Sequence, residues 1–247
     1  MEGSFTPPTV AGTGGSDFIG APPPGPPPIP PPPPAPVPIP WEEPGRPIGS
    51  ALLETIQLIM TRPSEAFARM PLNTELLRPV LYALIVGMVG LVAQTVYDTL
   101  FSTLISQLLP MFSDQKDALF GAIGGVIGLF FGPVLIPLVL LVSAAITQLM
   151  LMLLGGGQKG WTATFRVMAY SMTSSLFLLI PLAGGLINFV AGLIFQTIGL
   201  ADVHGMSRGR AFAAIFLPLV VCCGCFMLGA LFFGAAMMAG LKGILNQ

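Results

Sequence analysis

The stretch "GGGQKGWT", residues 155–162, gathers three glycines in a row, a lysine and a threonine within a few positions. Phosphate-cradling loops use these residue types: backbone N–H groups face the phosphate oxygens, and a lysine and a hydroxyl complete the shell. Their spacing is Gly, four residues, then Gly-Lys-Ser/Thr. The register fails here. From Gly155 it gives Gly160-Trp161-Thr162, with tryptophan at the lysine position; from Gly156 the second glycine position falls on Trp161. What precedes the loop is the apolar "LMLMLL", not a strand. No nucleotide is expected. The glycines instead end a helix and turn the chain, Lys159 and Arg166 hold the loop at a polar face, and Trp161 suits a membrane interface.

Other residues with chemical potential are few. Asp98, in "AQTVYDTLF", is the one carboxylate placed to lie within an apolar segment, which makes it a candidate proton or cation relay. Gln94 shares its helix face, yet Asp98 stands three residues from the end of that segment, within reach of an interface. Cys222, Cys223 and Cys225 contain a C-x-x-C spacing but have no histidine or carboxylate nearby, as a metal or redox site would need. His204, the only histidine, has no second ligand at metal spacing and reads as a loop residue beside arginines. No Ser-His-Asp, Cys-His or paired-carboxylate arrangement is apparent. Neither an enzyme nor a cofactor nor a metal is expected.

The elements that carry these residues follow from charge. Of 247 residues, 53% are hydrophobic and 9% charged, against about a quarter charged in soluble domains. No charged residue or histidine falls between Asp117 and Lys159, between Arg166 and Asp202, or between Arg210 and Lys242. Crossing the hydrocarbon core takes about 20 apolar residues, so these gaps are membrane segments. The net charge of −1 and the dispersed Lys and Arg argue against nucleic acid as a partner. Met1-Glu2-Gly3 opens a polar stretch that does not resemble a secretory signal.

The expected architecture is an all-α integral membrane protein: a five-span helical bundle behind a disordered, proline-rich N-terminal tail. Residues 1–40 form that tail. Fourteen of the nineteen positions from Pro22 to Pro40 are proline, which favours extended polyproline II and builds no core. The run 22–40 is a stiff spacer or a ligand for a proline-recognising partner. Residues 41–78 read as two short amphipathic juxtamembrane helices, with Leu52, Leu53, Ile56, Ile59 and Met60 on one stripe of the first. Trp41, that stripe, Phe67 and Met70 either rest on the headgroup boundary or pack on the spans.

Residues 79–247 are the membrane domain: a span over 79–101, a bent or broken helix over 118–154 containing Pro133 and Pro137, two spans within 165–201 turning at "IPLAGG", and a last span over 211–241. With five spans, Arg62, Arg69, Arg78, Lys159, Arg166, Arg208 and Arg210 fall on one face, and Lys116 and Lys242 on the other. That bias places the N-terminus in the cytoplasm and the C-terminus outside it. Gly121, Gly125, Gly128 and Gly132 form one helix stripe, a surface for close helix packing within the molecule or between copies.

The segments "LLGGGQKGWTATFRVMAYSM" and "LIPLAGGLINFVAGLIFQTIGLADVHGMSRGRAFAAIFLP" together resemble the Yip domain family of Ypt/Rab-interacting membrane proteins, particularly its bacterial branch. The matching positions are Gly155, Gly156, Phe165, Arg166, Ala169, Tyr170, Pro181, Gly184, Gly185, His204 and Arg208, and "RPSEAFARMP", residues 62–71, matches the family's approach to its first span. The resemblance implies five spans with a cytoplasmic N-terminus, in the plasma (inner) membrane for the bacterial branch and in the early secretory pathway for the eukaryotic one. Eukaryotic members are associated with Rab GTPases, but the Asp-Leu-Tyr-Gly-Pro-like motif has no match here. The expected function is a non-enzymatic scaffold or adaptor embedded in the lipid bilayer, as a homo- or hetero-oligomer, that presents residues 22–40 to protein partners. The alternative is a small channel or transporter using Asp98 and the glycine-lined helix.

Overall fold

In hydrocarbon an unpaired peptide group costs several kcal/mol, and a helix pairs all of its own. The apolar stretches of this chain therefore become helices. The computed structural model describes residues 3, 37–72, 75–108 and 115–245; the proline run up to residue 36 lies outside them. Apart from Gly3, the described residues belong to one unit, Pro36–Gln247. They form α1 (Ile48–Thr61), α2 (Pro63–Ala68), α3 (Leu77–Leu108), α4 (Gln115–Leu153), α5 (Trp161–Ser171), α6 (Gly184–His204) and α7 (Arg208–Leu245). A 3-10 turn at Pro40–Glu42 precedes α1, and a 3-10 helix, Met172–Leu179, continues directly from α5. No strand occurs among the described residues.

Four helices are long and apolar enough to cross a membrane: α3, the Ile123–Leu153 part of α4, α6, and the Arg208–Gly234 part of α7. Their outward faces are largely apolar, with Phe130, Val134, Leu186, Phe226 and Phe232 all exposed. The protein is an integral membrane protein whose described residues are almost wholly helical.

Helix α4 runs unbroken through Pro133 and Pro137, so of the bent and broken forms expected the broken one is absent. The physical reason lies in the spacing. Each proline withholds one N–H from the ladder, and Pro137 leaves free the carbonyl of Pro133 itself, four residues back. Membrane helices tolerate such gaps where neighbours and local adjustment compensate. Helix α7 likewise continues through Pro218.

The α5–3-10 segment lies along α3 in the same direction. Arg166 bonds the carbonyl of Glu75 just before α3, Tyr82 bonds Thr173, Ser175 bonds the carbonyl of Val86, and Tyr97 bonds the carbonyl of Leu179. Runs of 3-10 beyond three or four residues are uncommon, and this one has eight. Its hydroxyls help hold it: Thr173 donates to Tyr170 O at 2.7 Å, and Ser175 to Met172 O at 2.7 Å. It fits because α3 carries Gly90 opposite Ser175. A Cβ built on Gly90 would stand 2.6 Å from the Ser175 carbonyl oxygen.

The start of α3, the ends of α4 and α6 and the starts of α5 and α7 meet at one end of the bundle, called here the loop end. Segment 39–70 packs there. Ile39, Trp41, Ile59, Phe67 and Met70 are buried with Tyr82, Tyr170 and Leu200 in the main core. Between the two placements open for 41–78, the structure takes packing on the spans. The buried face of α1 is Ala51, Thr55 and Ile59, while Leu53 and Met60 of the expected stripe are exposed. The packed region also starts at Ile39, inside the stretch assigned to the tail; Ile39 is fully buried, and its N–H donates to Arg69 O at 3.2 Å.

The replacement Gly90→Leu is expected to destabilise the protein by roughly 1–3 kcal/mol through overpacking against backbone. Gly121→Leu, with nothing within 4 Å of a new Cβ, should melt like the wild type. Thermal unfolding of both purified in detergent checks this; equal melting would mean the 3-10 helix does not depend on that close approach.

Candidate functional site

Stripping a charged side chain of water is costly, yet Arg166 on α5 is wholly buried. Its charge is met by Glu42, which is 7% exposed. Both Glu42 oxygens accept from Arg166 Nη2, one of them also accepts from the Tyr170 hydroxyl one turn along α5, and Arg166 Nη1 donates to the Glu75 carbonyl. The sequence places the two acceptors far from α5, so this cluster ties three separate stretches together. Charge is balanced inside it, and the bonds to Tyr170 and Glu75 make the burial tolerable.

Trp41 seals the cluster. Its backbone N–H donates to Thr55 Oγ1 at 2.9 Å and its indole Nε1 to Arg78 O at 2.7 Å; Arg78 Nη1 returns a bond to Trp41 O at 3.1 Å. The rings of Trp41, Tyr82 and Tyr170 then follow in series, with centroids 5.9 and 5.0 Å apart. Tyr82 OH closes the stack on Thr173 Oγ1 at 2.6 Å.

A second polar network lies on the other side of α5. Gln148 Nε2 donates to Gly157 O at 3.0 Å, Thr164 Oγ1 donates to Gln148 Oε1 at 2.6 Å, and His204 Nε2 lies 2.9 Å from Thr164 Oγ1. It pins the glycine loop to α4, α5 and α6. Gly157 has φ +75°, and a Cβ there would stand 2.9 Å from Gln148 Nε2. The Thr164 hydroxyl beside the His204 ring is fully buried, and no group of three or more His, Cys, Asp or Glu that could hold a metal occurs among the described residues.

The residues singled out from sequence fall into distinct places. Gly155, at φ +74°, and Gly156, under the Met206 side chain, form the loop wall. Phe165 is buried with its ring 5.2 Å from Trp161, and Arg166 and Tyr170 form the cluster with Glu42. Arg166 thus belongs to a buried helix face rather than to an exposed loop, and His204 is the buried last residue of α6 rather than a loop residue. Pro181 lies in the turn before α6; a Cβ on Gly184 would meet the Phe177 carbonyl at 2.4 Å, while Gly185 faces open space. Arg208 is exposed at the start of α7.

The glycine stripe divides. Gly125 faces Thr95 and Gly132 faces Met88 and Leu91 on α3, whereas Gly121 and Gly128 meet nothing within 4 Å. Asp98 is exposed, and its bond comes from Gln94 Nε2 at 2.7 Å on the same helix. Helix α3 extends to Leu108, so Asp98 stands ten residues before its end instead of near it. Among the described residues no other hydrogen bond or ion pair to Asp98 occurs, and the channel alternative is not favoured. Cys222, Cys223 and Cys225 are exposed on α7.

Sequence reasoning missed Glu42, Trp41, Gln148 and Thr164 as site residues. The signal for Glu42 was stoichiometric. An arginine inside an apolar stretch requires a carboxylate, and "WEEPGR" supplies two beside a tryptophan.

Fold and site together define a polytopic helical membrane protein whose pre-membrane segment is clamped into the loop end of its bundle by a buried ion cluster. The Yip1 domain family model matches residues 56–241, and the chain belongs to that family. Comparison with curated proteins and with solved structures finds no match.

Replacing Arg166 by methionine leaves Glu42 buried without its partner, at an expected cost of about 3–5 kcal/mol. The double variant Glu42→Leu with Arg166→Met should recover much of that loss. Thermal unfolding and the rate of tryptic cleavage at Arg69, which precedes the buried Met70, measure both; an Arg166→Met protein as stable and as resistant as the wild type would show that the clamp is dispensable.

Proposed function

We propose that this protein is a non-enzymatic membrane scaffold or adaptor that presents a proline-rich arm from the loop end of a five-crossing bundle, in membrane organisation or trafficking. The observation that carries this reading is the Glu42–Arg166 clamp. It seats Ile39–Glu42, the residues that follow the proline-rich sequence, on the bundle. Proline-rich sequence favours polyproline II, the form that proline-recognising partners bind.

The fifth crossing is the α5–3-10 segment. Eleven α-helical and eight 3-10 residues extend about 32 Å, close to the hydrocarbon thickness of about 30 Å. Its course alongside α3, from Glu75 to Tyr97, supports a full traverse. With five crossings the basic residues of the loop end face the cytoplasm and the C-terminus lies outside it. The similarity to the bacterial branch favours a plasma (inner) membrane.

Reporters fused to the two ends, assayed for accessibility in intact cells, should score the N-terminus inside and the C-terminus outside; both ends on one side would overturn the count of five. For the arm, crosslinked partners of the full chain are compared with those of a chain lacking residues 22–36. Loss of a defined subset is expected, and an unchanged set would remove the arm from the mechanism.

A further inference from the structure

Two chambers lie between the spans. The first, of about 360 Å³, runs along α4 from Gly128 to Ser143 and is bounded by Leu91 of α3 and by Met168 and Met172. The second, of about 330 Å³, lies between Thr147 of α4 and Ile215, Pro218 and Cys222 of α7. They meet at a waist formed by Ser143, Met168 and Gln196, which line both. Among the described residues no charged side chain lines either chamber.

The waist is polar at hydrocarbon depth. Gln196 stands eight residues before the end of α6, about 12 Å, and twelve residues after its start, about 18 Å. Bulk water does not reach that depth, so an unpaired polar group there is costly. Hydroxyls elsewhere on the helices return to their own backbone, as Thr99 does to Thr95 O and Ser171 to Val167 O. Gln196, Ser143 and Thr147 make no side-chain hydrogen bond among the described residues. Their polar atoms reach accessible surface, unlike the sealed Thr197 Oγ1 and His204 Nδ1.

We propose that the two chambers bind a neutral lipid of the diacylglycerol class, one acyl chain in each, with its ester carbonyls and single hydroxyl at Gln196, Ser143 and Thr147. The three side chains offer four donor hydrogens, two from the amide and one from each hydroxyl. Two ester carbonyls and a hydroxyl oxygen accept them, and the Gln196 amide oxygen accepts from the lipid hydroxyl. No covalent bond is made or broken. A phosphate headgroup does not suit the waist, since its charge would lie about 12 Å inside the span with no counter-charge lining the site.

Shape separates a lipid chain from a helix of a second copy. Gly128 to Ser143 is fifteen residues, about 22 Å of helix α4. A volume of about 360 Å³ over that length gives a mean cross-section on the order of 20 Å², against about 80 Å² for a helix about 10 Å across. An extended hydrocarbon chain fits, and the flexible Met168 and Met172 side chains adapt to it. A phosphatidylcholine chain alone fills the apolar chamber and leaves the waist unpaired. The site uses only the spans and is independent of the proline-rich arm.

The full chain is placed in phosphatidylcholine nanodiscs with trace diacylglycerol carrying a photoreactive diazirine on one chain, irradiated, and mapped by peptide mass spectrometry. A parallel sample carries the same diazirine chain on phosphatidylcholine. Expected is diacylglycerol labelling concentrated in residues 128–147 and 215–222, displaced by excess unlabelled diacylglycerol and several-fold weaker from labelled phosphatidylcholine. Two variants separate binding from folding. Gly128→Leu fills the first chamber, and a Cβ there meets nothing within 4 Å; Gln196→Leu removes an amide with no partner among the described residues. Both should melt no lower than the wild type without added diacylglycerol and lose labelling several-fold. Equal labelling by the two probes would mean that bulk lipid fills the chambers, and crosslinks from these segments to a second copy would mean that protein covers them. Either result, or wild-type labelling in both variants, overturns the proposal.

Discussion

A guanidinium group buried among apolar helices must carry its counter-charge with it, and this requirement organises the loop end of the molecule. Arg166 sits at the point where α5, the start of α3 and the pre-membrane segment meet, and each supplies part of its shell: Tyr170 beside it, the Glu75 carbonyl, and Glu42. Removing Glu42 leaves the Arg166 charge unpaired in low dielectric, which costs more than the pair contributes when intact. The cluster is therefore better understood as a specifier than as a source of stability.

Packing around the cluster follows from that choice. With Glu42 drawn inward, Trp41 is carried between Thr55, Arg78 and Tyr82, and Ile39 beneath the Arg69 carbonyl. Helices α1 and α2 then fold over the bundle, and the Phe67 ring lies against Gly199 of α6, where a methyl group would come within about 3 Å of it. Small residues serve the same purpose along the spans. Hydrophobic burial drives little helix association in lipid, so close approach at Gly90 and Gly184, with hydroxyl bonds from Thr173 and Ser175, carries the contacts of the 3-10 helix. On the opposite side of α5, Gln148, Thr164 and His204 bind the glycine loop to three helices.

Much of this was legible beforehand, and the legible part has a common cause. Hydrocarbon imposes one-dimensional rules: long uncharged runs must be helices, glycine triplets end them, and Arg and Lys collect at their ends. Those rules identified the apolar helices, the turn at 181–183 and the glycine loop. They misjudged whatever depends on two distant stretches meeting. Arg166 and His204 read as surface residues because they flank apolar runs, and Pro133 and Pro137 allowed a break that α4 does not have. The glycine stripe of α4 was regular in sequence, yet only Gly125 and Gly132 find α3, since a neighbouring helix touches one side alone.

By itself the sequence determined that this is an all-helical membrane protein of the Yip1 domain family, because span length, charge exclusion and the order of short motifs are local properties of a chain. The partner of Arg166 was left to the tertiary structure, as were the docking of residues 39–70 on the spans and the polar waist at Gln196 between α4, α6 and α7. Each of these is a matter of electrostatic and hydrogen-bond completeness in a site built from several segments, and completeness appears only when the segments share one place.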